Sequence, residues 1–280
     1  MKTILVPTDF SEAASTAAEY AVNLAKEIKA SVLLLHIFHV PVPVSEVPVI
    51  IISPDELQKD NEILLKKEAE CLMKKTGVEV NYAAKMGLAV DEILEEGKNA
   101  GLIVMGMKGA GKLSEMILGS ITTDVLRKAK TPVLVIPENT VYKKPEKIVF
   151  ACDYDPGTDM YAIDALKTLM KTFGSKIYIV NVKKKKEYVS VEETMTEIKM
   201  ENKLNDVEHL YYFSEKEDLA EGINEFVEEH YADMLAVIPH RYSLLERMFH
   251  RSVSKKLAFH THVPLLALPD NHAAAAIDFL

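Results

Sequence analysis

An α/β fold built twice in tandem is what this sequence predicts: two open, mainly parallel five-stranded sheets, each flanked by helices. Three observations point to it. Short apolar runs alternate with longer amphipathic stretches, the pattern of parallel strands joined by right-handed helical crossovers. One such run, Leu102, Ile103, Val104 and Met105, leads straight into Gly106 and Gly109, as a buried strand does where it ends in a loop. The pattern of the first half then returns, in order, after Glu146.

Residues 3–7 read as a first buried strand, followed by Thr8 and Asp9. Ser11 is placed to cap a helix over residues 12–28, with Ala17, Ala21, Leu24, Ala25 and Ile28 at helical spacing. Residues 31–37 form the second strand. The apolar, proline-interrupted segment 38–52 is long for a connection. Such loops are usually functional, and a lid or partner contact is weighed against plain surface packing. Ser53, Pro54 and Glu56 have the form of a capping box with proline in the first turn, opening a helix that runs to about Lys75 and stops at Gly77. Residues 78–84 are a third strand, and residues 91–96 sit on the next helix. Residues 102–105 form the fourth strand, 120–128 a helix and 133–136 the fifth strand.

The repeat sets the domain organisation. Residues 147–153 mirror 3–9, residues 176–182 mirror 31–37, and residues 102–137 align without a gap on 234–269. Two domains follow, 1–138 and 146–280, with a short linker between them. The apolar strands at 133–136 and 265–268 are natural contact edges, so the halves are expected to form a pseudo-dimer within the chain. A homodimer of chains is a further expected level.

Composition excludes several classes. With 280 residues, 48% of them hydrophobic, the chain can bury two ordinary cores. A formal charge of −9 argues against a nucleic-acid or anionic-membrane surface. The basic run at 183–186 is followed by Glu187 and reads as a solvated loop. Two cysteines, Cys71 and Cys152, give no disulfide framework. No signal-peptide pattern is read at the N-terminus. The longest apolar region, 33–53, is interrupted by prolines, histidines and Glu46, so no membrane span is expected and the cytoplasm is the expected location.

Residues 106–120, GMKGAGKLSEMILGS, carry the candidate chemistry. Gly106 and Gly109 have no Cβ and tolerate positive φ, so backbone N–H groups there can approach a bulky ligand. Gly119 and Ser120 open a helix whose first N–H groups and dipole suit a phosphate. Ser120 and Thr122 add hydroxyl donors. Glycines as turn punctuation are the plainer alternative. A P-loop is nearly matched by Gly106, Gly111 and Lys112, but Leu113 stands where a magnesium-binding hydroxyl is needed. If the strands ending at Asp9 and Gly106 are neighbours where strand order reverses, both face one crevice. In the second copy Ile238, Arg241 and Arg251 replace Gly106, Gly109 and Gly119, and only Ser252 matches Ser120. That copy is not expected to hold a triphosphate in the same way; its arginines suit an anion, with pairing to neighbouring carboxylates the plainer reading.

ILVPTDFSE near the start, the LLLHI strand end, and G-x2-G-x9-G-S followed by a helix and PVLVIP closely resemble the universal stress protein family, in its tandem form. The resemblance covers nearly the whole chain and is strongest before Glu146. It implies a Rossmann-like, adenine nucleotide alpha hydrolase-like fold and a stress-response or regulatory role. It also implies ATP as ligand, with Mg2+ as companion and AMP or ADP as alternatives the cradle would accept. By the same resemblance Asp9 contacts the ribose, Pro7 and Thr8 line the adenine side, Ile37 packs on the base, and Met105 and Gly106 lie along the ribose. Gly109, Gly119, Ser120, Ile121 and Thr122 would hold the phosphates. Gly101 departs from the family's usual Asp at a turn before the fourth strand.

No nucleophile stands with a base in a convincing frame, so no catalytic residues are expected and at most weak ATP hydrolysis. A slow ATPase or self-phosphorylating protein, using Ser120 or Thr122, is the alternative. A third is a binding module whose second domain holds a different ligand. Asp153 and Asp155 read as helix caps. His260 and His262 invite a zinc reading, but no HExxH or CxxC accompanies them and no metal site is expected.

Overall fold

Strand β1 (Thr3–Pro7) hands the chain to α1 (Glu12–Ile28) through a short turn, and Ser11 caps that helix by accepting from Ala14 N at 3.3 Å. Ala17, Ala18, Ala21 and Ala25 are fully buried on α1, so their small side chains let the helix lie close on the sheet. Strand β2 (Ser31–Phe38) follows, then α2 (Pro54–Thr76), β3 (Val80–Met86), α3 (Ala89–Gly97), β4 (Leu102–Gly106), α4 (Ser120–Lys128) and β5 (Val133–Ile136). The second half runs β6 (Lys147–Ala151), α5 (Met160–Phe173), β7 (Lys176–Lys183), α6 (Val191–Leu204), β8 (His209–Glu215), α7 (Leu219–Glu229), β9 (Met234–Val237) and β10 (Leu265–Ala267). This computed structural model describes residues 2–39, 53–107, 119–152, 154, 160–183, 190–216, 218–238 and 262–269. The expected lid at 40–52, most of the basic run and the aspartates at 153 and 155 lie outside the described residues.

The capping box at α2 is present in full: Glu56 N donates to Ser53 Oγ and Ser53 N to Glu56. Gly77 ends that helix with φ +74°. Strand β3 starts two residues later than the sequence pattern indicates, because Val78 and Glu79 carry the chain from the left-handed Gly77 down to the sheet. Glu79 O already accepts from Val32 N at 2.9 Å. Pairing then continues from Val32 with Val80 to Phe38 with Met86, as far as β2 extends.

The ten strands form one sheet in the order β3-β2-β1-β4-β5-β10-β9-β6-β7-β8. Every pairing within a half is parallel. The two halves meet where β5 and β10 pair antiparallel, Val135 opposite Leu265 and Val133 opposite Ala267. Paired residues of this seam are at most 3% exposed. Register repeats as faithfully as sequence: Ile4 opposes Leu102 and Ile148 opposes Met234, while Ile103 opposes Val133 and Leu235 opposes Leu265. One apolar layer joins α1, α2, α5 and α6 to the sheet, and a second joins α3, α4 and α7 to its other face.

The linker is docked on both halves. Tyr142 packs edge-on against Tyr20 of α1, ring centroids 5.0 Å apart. Asp233, with its side chain 6% exposed, accepts from Glu146 N and Lys147 N at 3.0 Å each and pairs with Lys143. Gly101 holds the corresponding place in the first half and has no side chain to accept such bonds.

Candidate functional site

Strands β1 and β4 are hydrogen-bonded neighbours, Ile4 opposite Leu102, with α1 and α4 starting from their carboxyl ends. Strand order reverses between them, and a cavity of about 420 Å³ opens at that point. Pro7, Thr8 and Asp9 reach it from the end of β1, Ile37 from β2, and Met105 and Gly106 from β4. Gly119, Ser120, Ile121 and Thr122 reach it from the start of α4. Thus ten residues singled out in the sequence line one cavity; Gly109, with Lys112, lies outside the described residues.

Four elements converge because each strand ends on the same side of the sheet. The turn after β1 is held by its own side chains. Phe10 N donates to Thr8 Oγ1 at 3.1 Å and Ser11 N to Asp9 Oδ1 at 3.0 Å. At α4 the N-cap is Gly119, which offers no side-chain oxygen, and the first bond of the ladder runs from Thr123 N to Gly119 O at 2.9 Å. A helix so capped leaves its leading N–H groups to whatever enters from outside. Asp9 is the one ionisable side chain among the described residues lining the cavity. An anion there would meet backbone N–H and hydroxyl groups, whereas a carboxylate is an acceptor suited to a neutral diol or an amine.

The two motif glycines that the structure describes, Gly106 and Gly119, differ in physical role. Gly106 has no positive φ; a Cβ on it would lie 2.3 Å from the Ala13 carbonyl oxygen of α1. Helix-to-strand packing thus requires a bare position here, a reason the sequence motif did not supply. At Gly119 a Cβ would meet nothing within 4 Å among the described residues, and Gly119 lines the cavity.

Ser11, Ala13, Ala14, Ala89 and Ile93 also line the cavity and were not picked out by the sequence motifs. Ala89 and Ile93 are one turn apart on α3, a helical-face signal that becomes informative only once α3 is known to lie over the switch point. In the second half Ile238, at the place of Gly106, is buried with Cys152, Tyr154 and Met200. Arg241, Arg251 and Ser252 lie outside the described residues, as does His260. Among the described residues no three His, Cys, Asp or Glu side chains group as a metal site, and no helix is long and apolar enough to cross a membrane.

A family model described as the universal stress protein family matches residues 1–137 and again residues 145–269. The chain belongs to the universal stress protein family. Its relatives include the universal stress protein MJ0531 of Methanocaldococcus jannaschii, 34% identical over 155 residues that make up 52% of this chain and 84% of that protein. MJ0577 of the same organism is 33% identical over 156 residues, 48% of this chain and 94% of that protein. Such relatives match about half of this chain, in keeping with a tandem universal stress protein. A universal stress protein structure from Archaeoglobus fulgidus has the same fold along 96% of this chain and 98% of its own, with a TM-score of 0.74 at 21% identity.

Proposed function

We propose that this tandem universal stress protein binds ATP at one site, in a first domain spanning residues 1–138, and acts as a stress-response or regulatory protein. The observation that carries the reading is the single cavity gathering Asp9, Ile37, Met105 and the uncapped start of α4. An apolar strand end suits a purine face, a carboxylate suits a ribose diol, and unpaired N–H groups at a helix start suit phosphate. Family resemblance supports the same assignment for Pro7, Thr8, Gly106, Gly109, Ser120, Ile121 and Thr122. Mg2+ would accompany the phosphates as a ligand of ATP itself, since the cavity's described lining offers one carboxylate only.

The second domain, residues 146–280, is read as a degenerate copy. The antiparallel β5–β10 seam supports a pseudo-dimer within the chain, leaving homodimerisation to other surfaces. The test is an ATP titration by calorimetry on the protein and on a Gly109→Arg, Gly119→Arg variant. The reading expects the variant to lose ATP; equal affinity in both removes it.

A further inference from the structure

His36 does not line the cavity, yet it grips the turn that presents Asp9 to it. Its Nδ1 lies 2.8 Å from the Thr8 carbonyl oxygen. A carbonyl only accepts, so Nδ1 carries the proton and donates. A trans peptide points its C=O and N–H in opposite directions, so holding Thr8 O toward His36 turns the Asp9 N–H away from it. The next residue, Phe10, sits in the left-handed region at φ 61°, a conformation that costs a non-glycine residue stability unless its surroundings impose it. Here the surroundings do so. Phe10 N is tied to Thr8 Oγ1, and the Phe10 ring packs on the His36 imidazole with centroids 4.6 Å apart. One side chain thus orients the peptide before Asp9 and supports the residue after it.

The second half contains the same device with different chemistry. Cys152, Tyr154 and Asn181 stand at the places of Thr8, Phe10 and His36. Asn181 Nδ2 donates to the Cys152 carbonyl at 2.9 Å, Tyr154 N donates to Cys152 Sγ at 3.3 Å, and Tyr154 has φ 53°. An amide therefore performs the task of the imidazole on an equivalent backbone. His36 and Asn181, neither of them assigned to the nucleotide, hold the turn in the two copies, while the glycines of the cradle are absent from the second.

We propose that His36 is a positioning residue for nucleotide recognition: it sets the Thr8–Asp9 peptide so that the Asp9 carboxylate meets the ribose diol. This inference rests on the nucleotide reading above. Its specific consequence is sugar discrimination. A residue that acts through Asp9 affects ligands that carry the diol and spares those that lack it.

The experiment measures the affinities of ATP and 2′,3′-dideoxy-ATP for the full-length protein, for His36→Leu and for His36→Asn, with thermal midpoints recorded in parallel. Wild-type protein is expected to prefer ATP. Loss of the positioning hydrogen bond in His36→Leu should weaken ATP about tenfold and leave the dideoxy nucleotide nearly unchanged. His36→Asn, which installs the second half's own solution, should keep the wild-type preference even if His36→Leu fails to fold. A folded His36→Leu that retains the full preference, or an Asn variant that folds and loses it, overturns the inference. Wild-type protein that binds no ATP overturns the nucleotide reading and this inference with it.

Discussion

Two glycines near opposite ends of one motif illustrate how much a residue's context decides. Gly106→Ala would drive a methyl into the Ala13 backbone, and overpacking of that kind costs roughly 1–3 kcal/mol. Gly119→Asp meets no described residue within 4 Å of its Cβ and supplies an N-cap oxygen that α4 lacks, so the protein should keep or slightly raise its thermal midpoint. The same carboxylate would sit where phosphate is proposed to bind and should weaken ATP at least tenfold. Calorimetry and thermal unfolding on the two variants check both statements; a Gly119→Asp protein that binds ATP as well as wild type removes Gly119 from the site. Sequence spacing marked both positions as special without separating these reasons. Gly106 answers to α1, which is remote in sequence, and only the packed structure brings Ala13 beside it.

At the scale of elements, periodicity and capping signals located the helices of the first half closely, since Ser11, Ser53 and Gly77 act locally. Strand β8 and helix α6 were less visible. Val191, Met195 and Ile198 are exposed on α6, opposite its buried Thr196, Met200 and Leu204, which blurs the amphipathic pattern. Helix α5 is tied by ion pairs to α6, through Asp164 and Lys203, and to the turn that follows it. Asp206 pairs with Lys167 and Lys171, and these hydrogen bonds hold its carboxyl down at about 2. A carboxyl lowered in the folded state stabilises the protein above its ordinary value and loses that contribution as pH falls toward 2. The group is exposed, so the effect is small. Asp206→Asn should therefore lower the thermal midpoint slightly at pH 7 and converge with wild type near pH 2. A gap that persists unchanged at pH 2 would contradict this origin.

Across the whole molecule, the gapless match of residues 102–137 with 234–269 has its counterpart in the matching registers of β4–β5 and β9–β10, where a one-residue slip would turn core side chains outward. The sequence did not disclose the linker clamp. Asp233 is legible only as a charged residue before an apolar run, until the fold places Glu146 N and Lys147 N against it. Asp233→Ala leaves those donors without their partner and should cost about 1–3 kcal/mol in urea unfolding; unchanged stability would show that the linker is held by Tyr142 and the seam alone. The asymmetry between the halves carries the functional account: one copy keeps an open cavity with an uncapped helix start, and the other buries Ile238 at the matching strand end. The most direct measurement is the stoichiometry of ATP binding to the full-length chain by calorimetry. One ATP per chain, abolished by Gly109→Arg with Gly119→Arg, is the predicted result. Two per chain, or one that survives those substitutions, would contradict it.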